Sequence, residues 1–232
     1  MTPDHEPDPA KDAAFSVLRA HLHPHGLRAV GGFHDDTIGA EIAPGWTSLV
    51  LIGADGDRMW PVYSSAPEAT DGKNDPLDRW SRRVLDAVAD DVGAEAVYPF
   101  GGPPYQPFLK WGQWGEGARP SPICMLVSPG RGLWTSYRGA LLFRTRIDLP
   151  EPDLANPCLD CPAPCLSACP VDAFRGQAYD VAACLGHLRA SATSDCASGC
   201  LARRVCPVGV SPPEAQLRYH MEAFVSSTRH RV

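Results

Sequence analysis

The run CLDCPAPCLSACP places Cys158, Cys161, Cys165 and Cys169 within a few positions of one another and closes on Pro170. Eight of the nine cysteines in the 232-residue chain fall between 158 and 206. The N-terminal stretch MTPDHEPDPAKD is acidic and proline-rich. It has no apolar h-region, so it reads as a frayed tail over residues 1–12 rather than a signal peptide, with a cytoplasmic location expected. Disulfides do not persist in that compartment. Clustered thiols in such a chain point to metal.

The spacing narrows the metal. A cubane iron–sulfur cluster takes four thiolates, and the bacterial ferredoxin run is C-x2-C-x2-C-x3-C-P, whose fourth cysteine serves the other cluster. Here the run is Cys158-x2-Cys161-x3-Cys165-x3-Cys169-Pro170, with one extra residue beside Pro162 and Pro164. A looser second group follows: Cys184, then Cys196-x3-Cys200-x5-Cys206-Pro207. Eight thiols are what two cubanes require. Crossed ligation would give one cluster Cys158, Cys161, Cys165 and Cys206, and the other Cys169, Cys184, Cys196 and Cys200. The two Cys-Pro endings suggest a degenerate duplication over 158–207. Zinc also accepts four thiolates but favours paired C-x2-C hooks, of which this chain has one. Zinc, or one cluster with another site, stays open beside the two-cluster expectation.

Hydrophobic residues make up 44% of the chain and charged ones 21%, ordinary for a soluble protein with a real core. The net charge of -6 argues against a nucleic-acid binder, and no stretch is long enough to span a bilayer. Ahead of the cysteines, Phe15, Leu18 and Leu22 recur at helical spacing, and HLHPHG breaks that helix. The histidines of that segment (His21, His23, His25) read as a polar helix end in preference to a metal site. WTSLVLIGA (46–54) and AEAVYPF (94–100) read as strands. Between them, Leu77, Trp80, Val84, Leu85 and Val88 share one face of a helix from Pro76 to Val92, with Asn74 or Asp75 as its cap. ICMLVS and LWTSYRGALLFRT flank PGRG, a hairpin signal, and a helix is expected from about Pro213 to Val225. The prolines of 148–157 mark a linker. The expected organisation is an α+β domain over 13–150 and a two-cluster domain over 151–232.

The segment 101–122 has no periodicity and is long for a loop, which favours a functional role. It carries Tyr105, Phe108, Trp111 and Trp114 interleaved with Gln106 and Gln113. Apolar cavities with few polar anchors bind flat organic cofactors. The plainer alternative is that these aromatics fill the seam between two domains. Cys124, on an apolar strand, reads as a small buried hydrophobe or as a ligand. Arg138, beside Gly139 in another apolar strand, calls for an anionic partner, bound or supplied by a local Asp.

From Cys158 onward the order of elements resembles the C-terminal half of epoxyqueuosine reductases. These cobalamin-dependent enzymes also have a first run ending in Cys-Pro, a lone cysteine in a helix (here Cys184 in VAACLGHLRAS), and a final Cys-Pro group. Residues 25–145 resemble CblC-type cobalamin-processing proteins, through ICMLVSPGRGLWTSYRGALLF and, upstream, LRAVGGFHDD, TSLVLIGADGDRMW and VYPFGGPPYQPF. The resemblance implies a flavin-reductase/nitroreductase-like α+β fold for the N-terminal domain and a ferredoxin-like two-cluster domain after it. It also sets Cys124, Arg138 and Gly139 near a corrin, with Tyr105, Gln106 and Trp111 as further contacts from the residue reading. The function so implied is reduction of a bound corrinoid, with electrons from a reductase or a flavodoxin- or ferredoxin-like donor. No counterpart of the acidic D-S/T-x-P region of epoxyqueuosine reductases is present, which favours a cobalamin reductase or trafficking role. The alternative is a small ferredoxin-type carrier whose N-terminal domain docks a partner or binds FMN.

Overall fold

The computed structural model describes residues 9–39, 42–175, 178–191 and 193–227. The chain is a mixed α+β protein with an antiparallel sheet. It divides into two compact units, one of residues up to 117 with 136–153, the other of 118–135 with 154 onward. The chain thus crosses for the last time close to the boundary expected at 150, but 118–135 also belongs with the cysteines. The tail expected over 1–12 lies outside the described residues as far as residue 8, and from Pro9 the chain is helical.

The first unit is built on a sheet of four strands in the order β1-β2-β6-β3. They are β1 (Leu27–His34), β2 (Ser48–Ala54), β3 (Glu95–Val97) and β6 (Tyr137–Phe143), every neighbouring pair antiparallel. Every residue of β2 is buried, so both of its faces are covered, which explains why it reads as a continuous apolar run. Helix α1 (Pro9–Leu22) packs on β1, and α5 (Pro76–Val92) packs on β3 and β6. Between β1 and α5 lie the short helices α2 (Asp35–Ile38), α3 (Met59–Ser64) and α4 (Pro67–Thr70).

Helix α5 runs over the expected residues and buries Leu77, Trp80, Val84, Leu85 and Val88. Its buried Ser81 hydroxyl donates to Leu77 O at 2.7 Å, so no polar atom is stranded there. Asp75 stands at the N-cap in a left-handed conformation and makes no side-chain cap bond. Gly93, at φ 68, ends the helix by donating its N–H to Ala89 and Asp90 carbonyls.

The aperiodic 101–122 segment contains a helix, α6 (Phe108–Gly115), packed on β1 and β2. Its glycines explain why no period shows: two positions of the inward face carry no side chain. A Cβ on Gly112 would lie 2.1 Å from the Tyr137 hydroxyl, and one on Gly115 would lie 3.0 Å from Gly32 N. That absence brings the helix onto the sheet and closes an aromatic core. The Phe108 and Trp111 ring centroids are 4.9 Å apart, and Phe33 and Trp114 meet edge to face at 5.5 Å. Within this core the Tyr137 hydroxyl donates to Glu116 Oε2 at 2.6 Å.

The hairpin expected around PGRG is only a tight turn. Ser128 and Gly132 exchange backbone hydrogen bonds as one isolated bridge. The upstream arm instead folds on itself, β4 (Arg119–Pro120) pairing with β5 (Leu126–Val127), while the downstream arm enters the large sheet as β6. Among the described residues no helix is long and apolar enough to cross a membrane.

Replacing Gly112 by Ala drives a methyl group into Tyr137 and its bond to Glu116. The expected cost is about 1–3 kcal/mol of stability by overpacking, read as a lower denaturant midpoint. An unchanged midpoint would show that α6 can shift without loss.

Candidate metal centre

In the second unit the thiols are part of the core. Ile123, Val127, Leu133, Cys165, Phe174 and Ala202 form its buried cluster, and Cys158, Cys169, Cys200 and Cys206 pack against it. Local chain chemistry puts them there. Asn156 opens the cysteine loop, its Oδ1 accepting from Cys158 N at 3.1 Å and its carbonyl from Leu159 N at 3.1 Å. Ala163 then takes a left-handed conformation (φ 52) between Pro162 and Pro164. This accommodates the extra residue of the C-x3-C gap: the chain reverses at Ala163 and Pro164 opens the helical turn α7 (Pro164–Ser167), with Cys165 buried within it.

The other cysteines stand on short elements as well. Cys184 lies in α8 (Val181–Ala190), capped by the Asp180 carboxylate, which accepts from Ala183 N at 2.9 Å. Cys196 sits in a 3-10 turn, Asp195–Ser198. Cys200 is the N-cap residue of α9 (Leu201–Arg204), and Cys206 follows that helix closely. Helix α10 (Glu214–Ser227) packs on the 3-10 turn and on α8.

Cys158, Cys161, Cys165 and Cys206 line one cavity, with about 380 Å³ of space not filled by protein atoms, part of it open to solvent. Its other walls are apolar, including Val127, Leu133, Pro164 and Val208, apart from Ser121. Burial pushes the Cys158 thiol up, and the neighbouring Cys161, Cys165 and Cys206 push it further. Cys165 is raised in the same way by burial, then by Cys206 and Cys161.

Cys169, Cys184, Cys196 and Cys200 make the second group. Burial raises Cys184, with Cys200 and Cys169 adding to it, and raises Cys196, with Cys200, Cys169 and Cys184 adding. The thiol neighbours that raise Cys158, Cys165, Cys184 and Cys196 lie, for each of them, within its own group. Cys169 Sγ accepts from Ala173 N at 3.3 Å. Tyr179, stacked on Phe174 with centroids 4.9 Å apart, hydrogen-bonds Cys184, and its own hydroxyl is held well above its usual pKa by burial and that bond.

Helices α7 and α9 pack together, and each divides its cysteines between the groups. Cys165 and Cys206 go to the first, while Cys169 and Cys200 go to the second.

No protein-family model matches the chain, and no curated protein matches it.

Among the described residues no group of three or more His, Cys, Asp or Glu side chains is arranged to hold a metal ion as it stands. The first quartet lines a cavity instead, and in a cubane each thiolate meets a different iron. All-thiolate donor sets select soft metals and iron–sulfur clusters. Four like charges gathered at partly buried positions are unstable unless protonated or joined to a cationic core. The donor chemistry of each quartet fits a four-iron cluster, and the first quartet also lines a cavity.

Of the residues expected near a corrin, Tyr105 and Gln106 are exposed, Tyr105 at 67%. Trp111 is in the first unit's aromatic core. Arg138 is nearly buried, its Nη1 3.6 Å from Asp78 Oδ1, so a local Asp stands beside it. Burial nonetheless raises the Asp78 carboxyl, with Arg138 opposing that rise. Gly139 lies under Leu85, where a Cβ would approach Cδ1 to 2.6 Å. Cys124 is exposed, at φ 59, in the second unit. Of the three early histidines, His21 lies 3.2 Å from Asp91. Burial lowers His25, and Arg83 adds to the effect.

Sequence reasoning missed Ser121, Tyr179 and Arg203. Arg203 donates to Leu133 O from Nε and Nη2 at 3.1 and 2.8 Å and lies 4.2 Å over the Trp134 ring. Its place three residues after Cys200 was the one available signal.

Crossed ligation has a direct test. Cys169→Ser and Cys206→Ser should each cost about half of the iron and acid-labile sulfide. The two variants should retain different clusters, distinguishable by EPR of the reduced proteins. Loss of the same cluster from both would mean that Cys169 completes the first site.

Proposed function

We propose that the chain is an iron–sulfur electron-transfer protein that holds two [4Fe–4S] clusters and reduces the cobalt of a bound corrinoid. The observation that carries the cluster part is that Cys158, Cys161, Cys165 and Cys206 line one cavity, while the thiol neighbours of Cys184 and Cys196 are other cysteines of the second group. Cys158, Cys161, Cys165 and Cys206 would hold one cluster and Cys169, Cys184, Cys196 and Cys200 the other, in a ferredoxin-like second unit. Bound there, the clusters supply one-electron chemistry at potentials set by hydrogen bonds to sulfur and by exposure. The protein's own work is to gather and orient the thiols, and to screen them with the apolar walls of the second unit.

The corrinoid part rests on the resemblance of residues 25–145 to CblC-type proteins, which implies a flavin-reductase/nitroreductase-like first unit. Its support in the fold is the stretch 105–114. Tyr105, Leu109 and Trp114 leave large apolar surface exposed on and beside α6, a surface suited to a flat macrocycle. Electrons would come from a reductase or a flavodoxin- or ferredoxin-like donor, and cobalt reduction would release the upper ligand. A second reading keeps the clusters but makes the protein a plain carrier, its first unit docking a partner or binding FMN. The burial of Trp111 and Gly139 and the Arg138–Asp78 pair favour it, because those residues already have structural work.

Titration with hydroxocobalamin, followed by absorption, separates the two. Near-stoichiometric binding with shifted corrin bands is expected, weakened about tenfold, or ~1.4 kcal/mol, by Tyr105→Ala with iron content unchanged. Absent band shifts, with FMN bound instead, would sink the corrinoid reading and leave the clusters standing.

A further inference from the structure

Ser121 is the one polar lining residue of the first thiol cavity that is not a cysteine. Its Oγ is buried and has no hydrogen-bond partner among the described residues. The backbone around it is already engaged: Ser121 N donates to Met125 O at 2.8 Å, and its carbonyl accepts from Cys124 N at 3.1 Å. Leaving a buried hydroxyl unpaired is costly. That cost disappears if the cavity holds an acceptor, and the acceptors that its walls would gather are sulfurs.

Resting on the two-cluster reading above, we propose that Ser121 donates a hydrogen bond to a sulfur of the cluster held by Cys158, Cys161, Cys165 and Cys206, raising its reduction potential. A hydroxyl facing an anionic group serves as donor. A hydrogen bond to sulfur stabilises the more negative, reduced state, so the potential rises.

The segment that carries Ser121 is fastened to the cysteine chain at several points, which keeps the hydroxyl in place. Ile123, Val127 and Leu133 share a buried cluster with Cys165. Arg203 grips the Leu133 carbonyl with both nitrogens. Gly132 lies so close to Val208 that a Cβ would meet its carbonyl oxygen at 1.9 Å. The β4–β5 hairpin is thus a wall of the first site, and the loop between its strands carries Ser121 into the cavity lining. The second quartet has different donors, Ala173 N–H on Cys169 and the Tyr179 hydroxyl beside Cys184, so removing Ser121 should leave it untouched.

The test compares wild type with Ser121→Ala, both reconstituted anaerobically, by iron and sulfide analysis and by potentiometric titration followed by EPR. Expected are equal iron and sulfide, a lowered midpoint potential for one cluster, an unmoved potential for the other, and restoration by Ser121→Thr. If Ser121→Ala fails to hold iron, the pair Ser121→Thr and Ser121→Val, equal in shape and differing in the hydroxyl, carries the comparison. Full iron with both potentials unchanged in the hydroxyl-free variant overturns the assignment and leaves the two-cluster reading intact. Wild-type protein that takes up neither iron nor sulfide overturns both.

Discussion

The crowding of eight thiols in and around one small core is the constraint around which the second unit is organised. At an effective dielectric near 20, two like charges 4 Å apart repel by about 4 kcal/mol, and each thiolate of a quartet faces several others. Desolvation adds to this, as the raised Cys158, Cys165, Cys184 and Cys196 thiols show. Protonated, the cysteines behave as small hydrophobes and pack into the core with Ile123, Val127 and Leu133. Ionised, they need a cation among them. The arrangement that packs the thiols as small hydrophobes also leaves them grouped, as the proposed clusters would require.

Short helices make that arrangement possible. A cysteine within α7 and another just past its end are about 6 Å apart along the axis, yet they point into different quartets. The pair Cys200 and Cys206 does the same at the two ends of α9. Because α7 and α9 pack on each other, neither quartet can be displaced without moving a helix that serves the other. Two sites assembled in this way are one folding problem. The left-handed Ala163 and the capped α8 are local adjustments that let the chain reach both.

What could be read from the sequence follows from how local each determinant is. The helix Pro76–Val92 and the strand Ser48–Ala54 are written in their own apolar spacing, and the cysteine groups in their gaps. Helix α6 was hidden because Gly112 and Gly115 work through contacts with Tyr137 and Gly32, far away in the chain. The segment 118–135 was misassigned for a related reason. Which core takes Ile123, Val127 and Leu133 depends on Cys165 and Phe174, beyond any local window. Ser121 was illegible on the same ground: a serine acquires a role only from the cavity it is folded against.

The first unit has the opposite balance of local and distant determinants, and this bears on its role. Its sheet, α5 and the aromatic group about Trp111 satisfy one another. Arg138 has Asp78 beside it, and the Tyr137 hydroxyl has Glu116. Residues so engaged stabilise the fold and are poorly free to grip a ligand. The large apolar side chains left exposed on and beside α6 are Tyr105, Leu109 and Trp114, and Lys110 Nζ lies 5.6 Å from the Trp114 ring centroid. Any flat cofactor of this unit must therefore be held by apolar contact along α6 and the loop before it, more than by the buried polar pairs.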